Sequence, residues 1–92
     1  MAPIRIAIRV YGRVQGVGYR KATLEKARAL GLAGFVQNEP DGTVYLEAEG
    51  DPQALDQLIA FAKQGPLLAH VQLAQVQPKG APLGDTEFRI LR

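Results

Sequence analysis

The chain has 92 residues, of which 47% are hydrophobic and 22% charged, with a formal net charge of +2. These values predict one globular domain over residues 1–92 and argue only weakly for an anionic macromolecular partner. Because the sequence contains no cysteine and no serine, it excludes disulfides, zinc–cysteine sites and thiol or serine nucleophiles. Its single histidine, His70, cannot form a multi-histidine metal site. No secretory signal or membrane-spanning apolar run is visible, so we expect a cytoplasmic protein without a membrane partner.

The first half of the chain alternates between strand and helix patterns. Residues 4–10 alternate in hydrophobicity, which predicts a half-buried strand. Helical spacing follows over residues 19–30, and Gly31 is a plausible C-terminal stop. Short strands are expected at residues 32–38 and 43–49, joined by the turn sequence EPDG.

The segment TVYLEAE also alternates. We expect it to bury Val44, Leu46 and Ala48, while Glu47 and Glu49 face water. One wet face is typical of an antiparallel sheet.

The second half begins with the clearest helix signal. Asp51 is a suitable N-cap, and Pro52 suits the first helical position. The segment AHVQLAQVQ, residues 69–77, predicts a further strand. Its apolar parity shifts between Leu73 and Val76, which indicates a β-bulge.

A last short strand is expected over residues 87–92. The predicted order is therefore β-α-β-β-α-β plus a short strand. This order favours an α+β ferredoxin-like sandwich, with two helices on one face of an antiparallel sheet.

The stretch YGRVQGVGYRK, residues 11–21, joins the first strand to the first helix. It contains three glycines, three cations and no acid. A helix N-terminus presents unpaired N–H groups and about half a positive charge, yet this one has neither a capping side chain nor an acid. A bound oxyanion would supply the missing partner, with the glycines allowing the N–H groups to converge. A glycine-rich turn with solvated cations explains the composition equally well. The Walker A and Rossmann patterns both fail here.

Two motifs, GRVQGVGYR and LGLAGFVQNEPDGTV, decide between these readings. Together, at this spacing and with a helix between them, they resemble the acylphosphatase family over essentially the whole chain. Tyr19 stands where phenylalanine is usual and Phe35 where tryptophan is usual, so both positions remain aromatic. The resemblance implies hydrolysis of acyl phosphates to a carboxylate and inorganic phosphate, without a metal or another cofactor.

The resemblance also assigns the site. The family's essential arginine falls on Arg20 and its essential asparagine on Asn38. Arg20 would clamp phosphate oxygens, and Asn38 would orient the attacking water. The backbone that would cradle the phosphate comprises Gln15, Gly16, Val17, Gly18 and Tyr19, together with Arg20.

This chemistry suits the residues present. Phosphoryl transfer needs mainly positioning and charge stabilisation, which N–H groups and a guanidinium supply. The carboxylate leaving group, with a conjugate acid of pKa near ~4, needs no general acid. No general base is evident, so an oxygen of the substrate's own phosphate is a candidate proton acceptor. Phosphate or sulfate should bind as anion ligands.

Several residues have a second interpretation. Asn38 could simply initiate the turn before Pro40. Arg13 is as consistent with a solvated loop cation as with a substrate contact, and Lys21 with added positive potential. Asp41 is first a turn former.

Two rival functions remain. An RNA-binding module would need exposed strand aromatics in an RNP pattern, which the sequence lacks, and we expect no nucleic-acid partner. An accessory domain of a larger enzyme would not hydrolyse acyl phosphates alone. We expect a freestanding monomer.

Overall fold

The computed structural model describes residues 2–92 and contains five strands and two helices. The elements are β1 (Ile4–Arg13), α1 (Tyr19–Ala29), β2 (Ala33–Asn38), β3 (Val44–Gly50), α2 (Pro52–Gln64), β4 (His70–Pro78) and β5 (Phe88–Ile90). Neither helix in this part of the chain has the length and hydrophobicity that a membrane span requires.

The strands form one sheet in the order β4-β1-β3-β2-β5. The pairs β1–β3, β1–β4 and β2–β3 are antiparallel, whereas β5 runs parallel to β2. The predicted ferredoxin-like α+β sandwich is confirmed, with β5 making the sheet mixed. The parallel pairing brings the end of β5 beside the end of β2.

The core lies between one face of the sheet and both helices. Its members include Ile6, Ile8, Val10, Tyr19, Leu46, Leu55, Leu58 and Phe88, all of them buried. The second helix begins as predicted, because the Asp51 side chain accepts a hydrogen bond from the Gln53 N–H at 2.9 Å. Val44, Leu46 and Ala48 are buried, as their alternation predicted.

The prediction that Glu47 and Glu49 face water is wrong. On the other face of the sheet, the buried Arg5 donates to Glu47 at 2.8 Å, to Asp85 at 3.0 Å and also to Glu49. Glu49 accepts further bonds from the backbone N–H groups of residues 83–85. Burial opposes ionisation of Glu49, but these N–H groups and Arg5 outweigh it and lower its pKa. The segment before β5 thus covers a face that sequence alternation marked as wet.

The predicted bulge lies in β4, but nearer its start than expected. Tyr11 pairs with Leu73 and Gly12 with Val71, so Gln72 is the extra residue. The approach is close, because a Cβ at Gly12, whose φ is 126°, would lie 2.2 Å from the His70 carbonyl oxygen. Glycine is therefore required where β1 ends and the glycine-rich turn begins.

Candidate active site

A cavity of about 220 Å³ opens between the start of α1 and the ends of β2 and β5. It is lined by Val14, Gly16, Gly18, Tyr19, Arg20, Lys21, Asn38 and Ile90. Both motifs therefore meet at one cavity, and none of its lining side chains is acidic.

The turn before α1 curls through two left-handed glycines. Gly16 has φ 73° and Gly18 has φ 81°, and a Cβ at either position would meet nothing within 4 Å. Glycine is thus favoured here by backbone conformation rather than by crowding. Gly18 is the N-cap and offers no side chain, while its carbonyl accepts the Ala22 N–H at 3.0 Å. The N–H groups of the first turn have no intrahelical acceptor, as in any α-helix. Here no side chain caps them, and the first turn contains no acid.

Arg20 and Lys21 bring two positive charges to this turn. Arg20 is half-buried and Lys21 is exposed. Neither forms a salt bridge with an acidic side chain anywhere in residues 2–92. The helix dipole and both cations therefore favour an anion in the cavity.

Asn38 faces the same cavity from the end of β2. Its backbone is held on both sides by the last residue: its N–H donates to the Arg92 carbonyl at 2.6 Å, and its carbonyl accepts from Arg92 Nε at 3.3 Å. Its side-chain Oδ1 is buried and accepts no hydrogen bond from the described residues. A buried amide oxygen without a donor is costly, and a rotation of the side chain toward the cavity that Asn38 lines would let this oxygen accept from a bound water.

Gln15 does not line the cavity, although it lies within the predicted cradle. Its side-chain Nε2 instead donates to two backbone carbonyls in the β2–β3 turn, that of Glu39 at 2.8 Å and that of Thr43 at 2.9 Å. The turn that follows Asn38 is therefore tied to the glycine-rich loop by one amide group.

The side chains of Val17 and Tyr19 belong to the core. Val17 packs against the core and does not line the cavity. The Tyr19 hydroxyl donates to the Ala62 carbonyl at 2.8 Å, and burial raises the pKa of this phenol above its ordinary value. Tyr19 can therefore reach a ligand through its backbone but cannot act as a general acid or base.

Asp41 forms the turn that its sequence position indicates, and Arg13 lies at the end of β1 rather than in a loop. The Asp41 carboxylate accepts from the Thr43 hydroxyl at 2.6 Å and from the Thr43 N–H at 3.0 Å, which lowers the Asp41 pKa. Arg13 is exposed and does not line the cavity.

Sequence reasoning missed Ile90 and Arg92. The signal for Ile90 was present, because Phe88 and Ile90 alternate and so share a face. No sequence signal predicted the parallel register that places Ile90 opposite Val36, two residues before Asn38.

Comparisons with known proteins agree with this geometry. A family model described as Acylphosphatase matches residues 6–90. Curated acylphosphatases from Thermococcus kodakarensis and Methylococcus capsulatus are 48% and 47% identical to the chain; the alignments cover 87% and 96% of the chain and 91% and 96% of those proteins. The crystal structure of acylphosphatase from Bacillus subtilis superposes with a TM-score of 0.94 at 35% identity, covering 97% of this chain and 99% of that one. The chain therefore belongs to the acylphosphatase family, whose members are hydrolases acting on acid anhydrides.

Proposed function

We propose that the chain is a metal-independent acylphosphatase, in which Arg20 and the backbone of residues 15–20 bind the phosphate group and Asn38 orients the attacking water. The observation that carries this assignment is the buried, donorless Oδ1 of Asn38, which shares a cavity with the uncapped start of α1. One side of the cavity thus offers N–H groups and cations to an anion, and the other offers an amide oxygen that has no donor within the described residues.

The phosphate group of the substrate replaces the missing helix cap. Its oxygens accept from the free N–H groups of the first turn and of the left-handed glycines. Arg20 adds a bidentate contact through its planar, positively charged guanidinium group. Only the backbone of Gln15, Val17 and Tyr19 can take part, because their side chains are engaged elsewhere.

Asn38 Oδ1 accepts a hydrogen bond from the water, whose oxygen attacks phosphorus. The bond between phosphorus and the acyl oxygen breaks, and its electron pair leaves with the carboxylate. The water proton passes to a phosphate oxygen, so carboxylate and inorganic phosphate result. No side chain of the cavity serves as a base at neutral pH, since its ionisable residues are Tyr19, Arg20 and Lys21.

Metal independence is consistent with the side chains available. No group of three or more His, Cys, Asp or Glu residues within residues 2–92 is placed to hold a metal ion. Charge neutralisation therefore falls to Arg20 and the N–H groups. Phosphate and sulfate resemble the transferred group, so we expect both to bind the same cavity competitively with substrate.

Phosphate release from benzoyl phosphate in excess EDTA tests this function. We expect sustained turnover with chelator, and almost none with p-nitrophenyl phosphate, whose phenolate is a poorer leaving group than a carboxylate. Loss of benzoyl phosphate turnover on chelation contradicts metal independence. Equal turnover of both substrates contradicts a site without a general acid.

A further inference from the structure

Lys21 is a second cation in the cavity, and the mechanism above gives its side chain no task. It follows Arg20 in the first turn of α1, is exposed, and forms no salt bridge within residues 2–92. Because no acidic side chain lines the cavity, nothing there competes with substrate for its ammonium group.

The two layers of the fold separate Lys21 from Asn38. Asn38 ends β2 in the sheet layer, whereas Lys21 belongs to the helix layer, and both line one cavity. In phosphoryl transfer the attacking and leaving oxygens lie roughly in line through phosphorus. If Asn38 holds the water, the acyl oxygen departs on the side of the phosphate away from Asn38, and Lys21 is the exposed cation of the cavity that does not belong to the sheet layer.

We propose that the Lys21 ammonium binds the acyl carboxylate as it leaves, which makes Lys21 a further catalytic residue. The electron pair of the broken bond passes to the acyl oxygen, whose growing negative charge the ammonium stabilises. The contact is an ion pair, and no proton is transferred in this step. This role rests on the proposed positions of the phosphate at Arg20 and of the water at Asn38.

The chemistry of a lysine indicates how it would select substrates. Its flexible stem carries a compact charge without directional preference, so it can follow carboxylates of differing shape. Its benefit grows with the negative charge on the acyl oxygen, which is largest for the weakest acids. Lys21 would therefore reduce the difference in kcat between acyl phosphates whose parent acids differ in strength.

A leaving-group series tests Lys21 directly. Turnover of para-substituted benzoyl phosphates, from nitro to methoxy, is measured for the parent, Lys21→Gln and Lys63→Gln. Lys63 is the matched control, since it is an exposed lysine on α2 away from this cavity. We expect Lys21→Gln to lower kcat by about two- to fivefold, as for an exposed ion pair, with the largest loss for the methoxy compound. Lys63→Gln should match the parent.

Three outcomes overturn the role of Lys21. They are no loss of kcat, a loss equal for every leaving group, and the same loss in Lys63→Gln. An equal loss indicates general electrostatic attraction, because every substrate in the series carries the same charge. The inhibition constant of inorganic phosphate reports the cradle separately. If Lys21→Gln has the inhibition constant of the parent, the phosphate cradle is intact in that variant. If Arg20→Ala also has the inhibition constant of the parent, the proposed cradle is refuted.

Discussion

Replacement of Gln15 by methionine tests how the phosphate loop and the water site are held together. Methionine keeps the length and flexibility of the side chain but removes the amide that bonds the carbonyls of Glu39 and Thr43. Each carbonyl keeps one other donor, because the Gly42 N–H donates to Glu39 and the Glu39 N–H donates to Thr43. Because neither carbonyl is left without a donor, the substitution removes only the net contribution of two hydrogen bonds to the free energy of unfolding.

At about 0.5–1.5 kcal/mol for each net hydrogen bond, Gln15→Met should lower the free energy of unfolding by about 1–3 kcal/mol. In a domain of this size each 1 kcal/mol lowers Tm by about 4–8 °C. Because the released turn directly follows Asn38, we also expect kcat to fall by ~10-fold or more through misplacement of the water. The inhibition constant of phosphate should stay near the parent value, since the cradle N–H groups are unchanged.

Urea unfolding and steady-state kinetics on Gln15→Met and Gln37→Met measure both effects. Gln37 is the matched control, because within residues 2–92 its side-chain amide bonds only the Glu39 carboxylate, to which Nε2 donates at 3.3 Å. Gln37→Met should lower the free energy of unfolding by no more than about 0.5 kcal/mol. If Gln15→Met and Gln37→Met lose equal stability and equal kcat, Gln15 does not couple the two halves of the site.

Three further predictions follow from single contacts. Asn38→Asp should lose most activity, because a carboxylate repels the substrate's phosphate, and should melt below the parent, because a charge replaces a buried oxygen that has no donor; a folded variant with near-parental kinetics would reduce Asn38 to a turn residue. Phosphate at 100 times its Kd should stabilise the parent by about 2.7 kcal/mol, and Arg20→Ala should largely remove that shift relative to chloride at matched ionic strength. The lowered pKa of Glu49 contributes stability that is complete above the ordinary glutamate pKa of about 4.3 and is lost as pH falls below it. Glu49→Gln should therefore be less stable than the parent at pH 7, with the two stabilities converging in acid, and parallel pH profiles would contradict this.

The local elements and the uncapped helix were predictable because each depends on neighbouring residues. The strand over residues 4–10 and the Asp51 cap need only local geometry, and the structure shows both. The alternation did not predict burial correctly, because Arg5 and Ala7 on the other face of β1 are buried as well as Ile6 and Ile8. The absence of an acid or capping side chain at α1 is equally local. Comparison of α1 with α2 within one chain thus pointed to an anion site before any tertiary contact was known.

Long-range features could not be predicted in the same way. Alternation shows that Glu47 and Glu49 share a face, but not that residues 83–85 cover it or that Arg5 pairs with both. Likewise, the motif identified the position of Gln15 but not the direction of its side chain. Such contacts join residues about 24 to 80 positions apart, and no periodicity encodes them.

Hydrolysis of benzoyl phosphate in water enriched in oxygen-18 tests the central claim most directly. If Asn38 aims the water at a phosphoryl group held by Arg20 and the α1 N–H groups, the heavy oxygen enters inorganic phosphate and the benzoate stays unlabelled. Heavy oxygen in the benzoate would show attack at the acyl carbon and would contradict the proposed arrangement of the site.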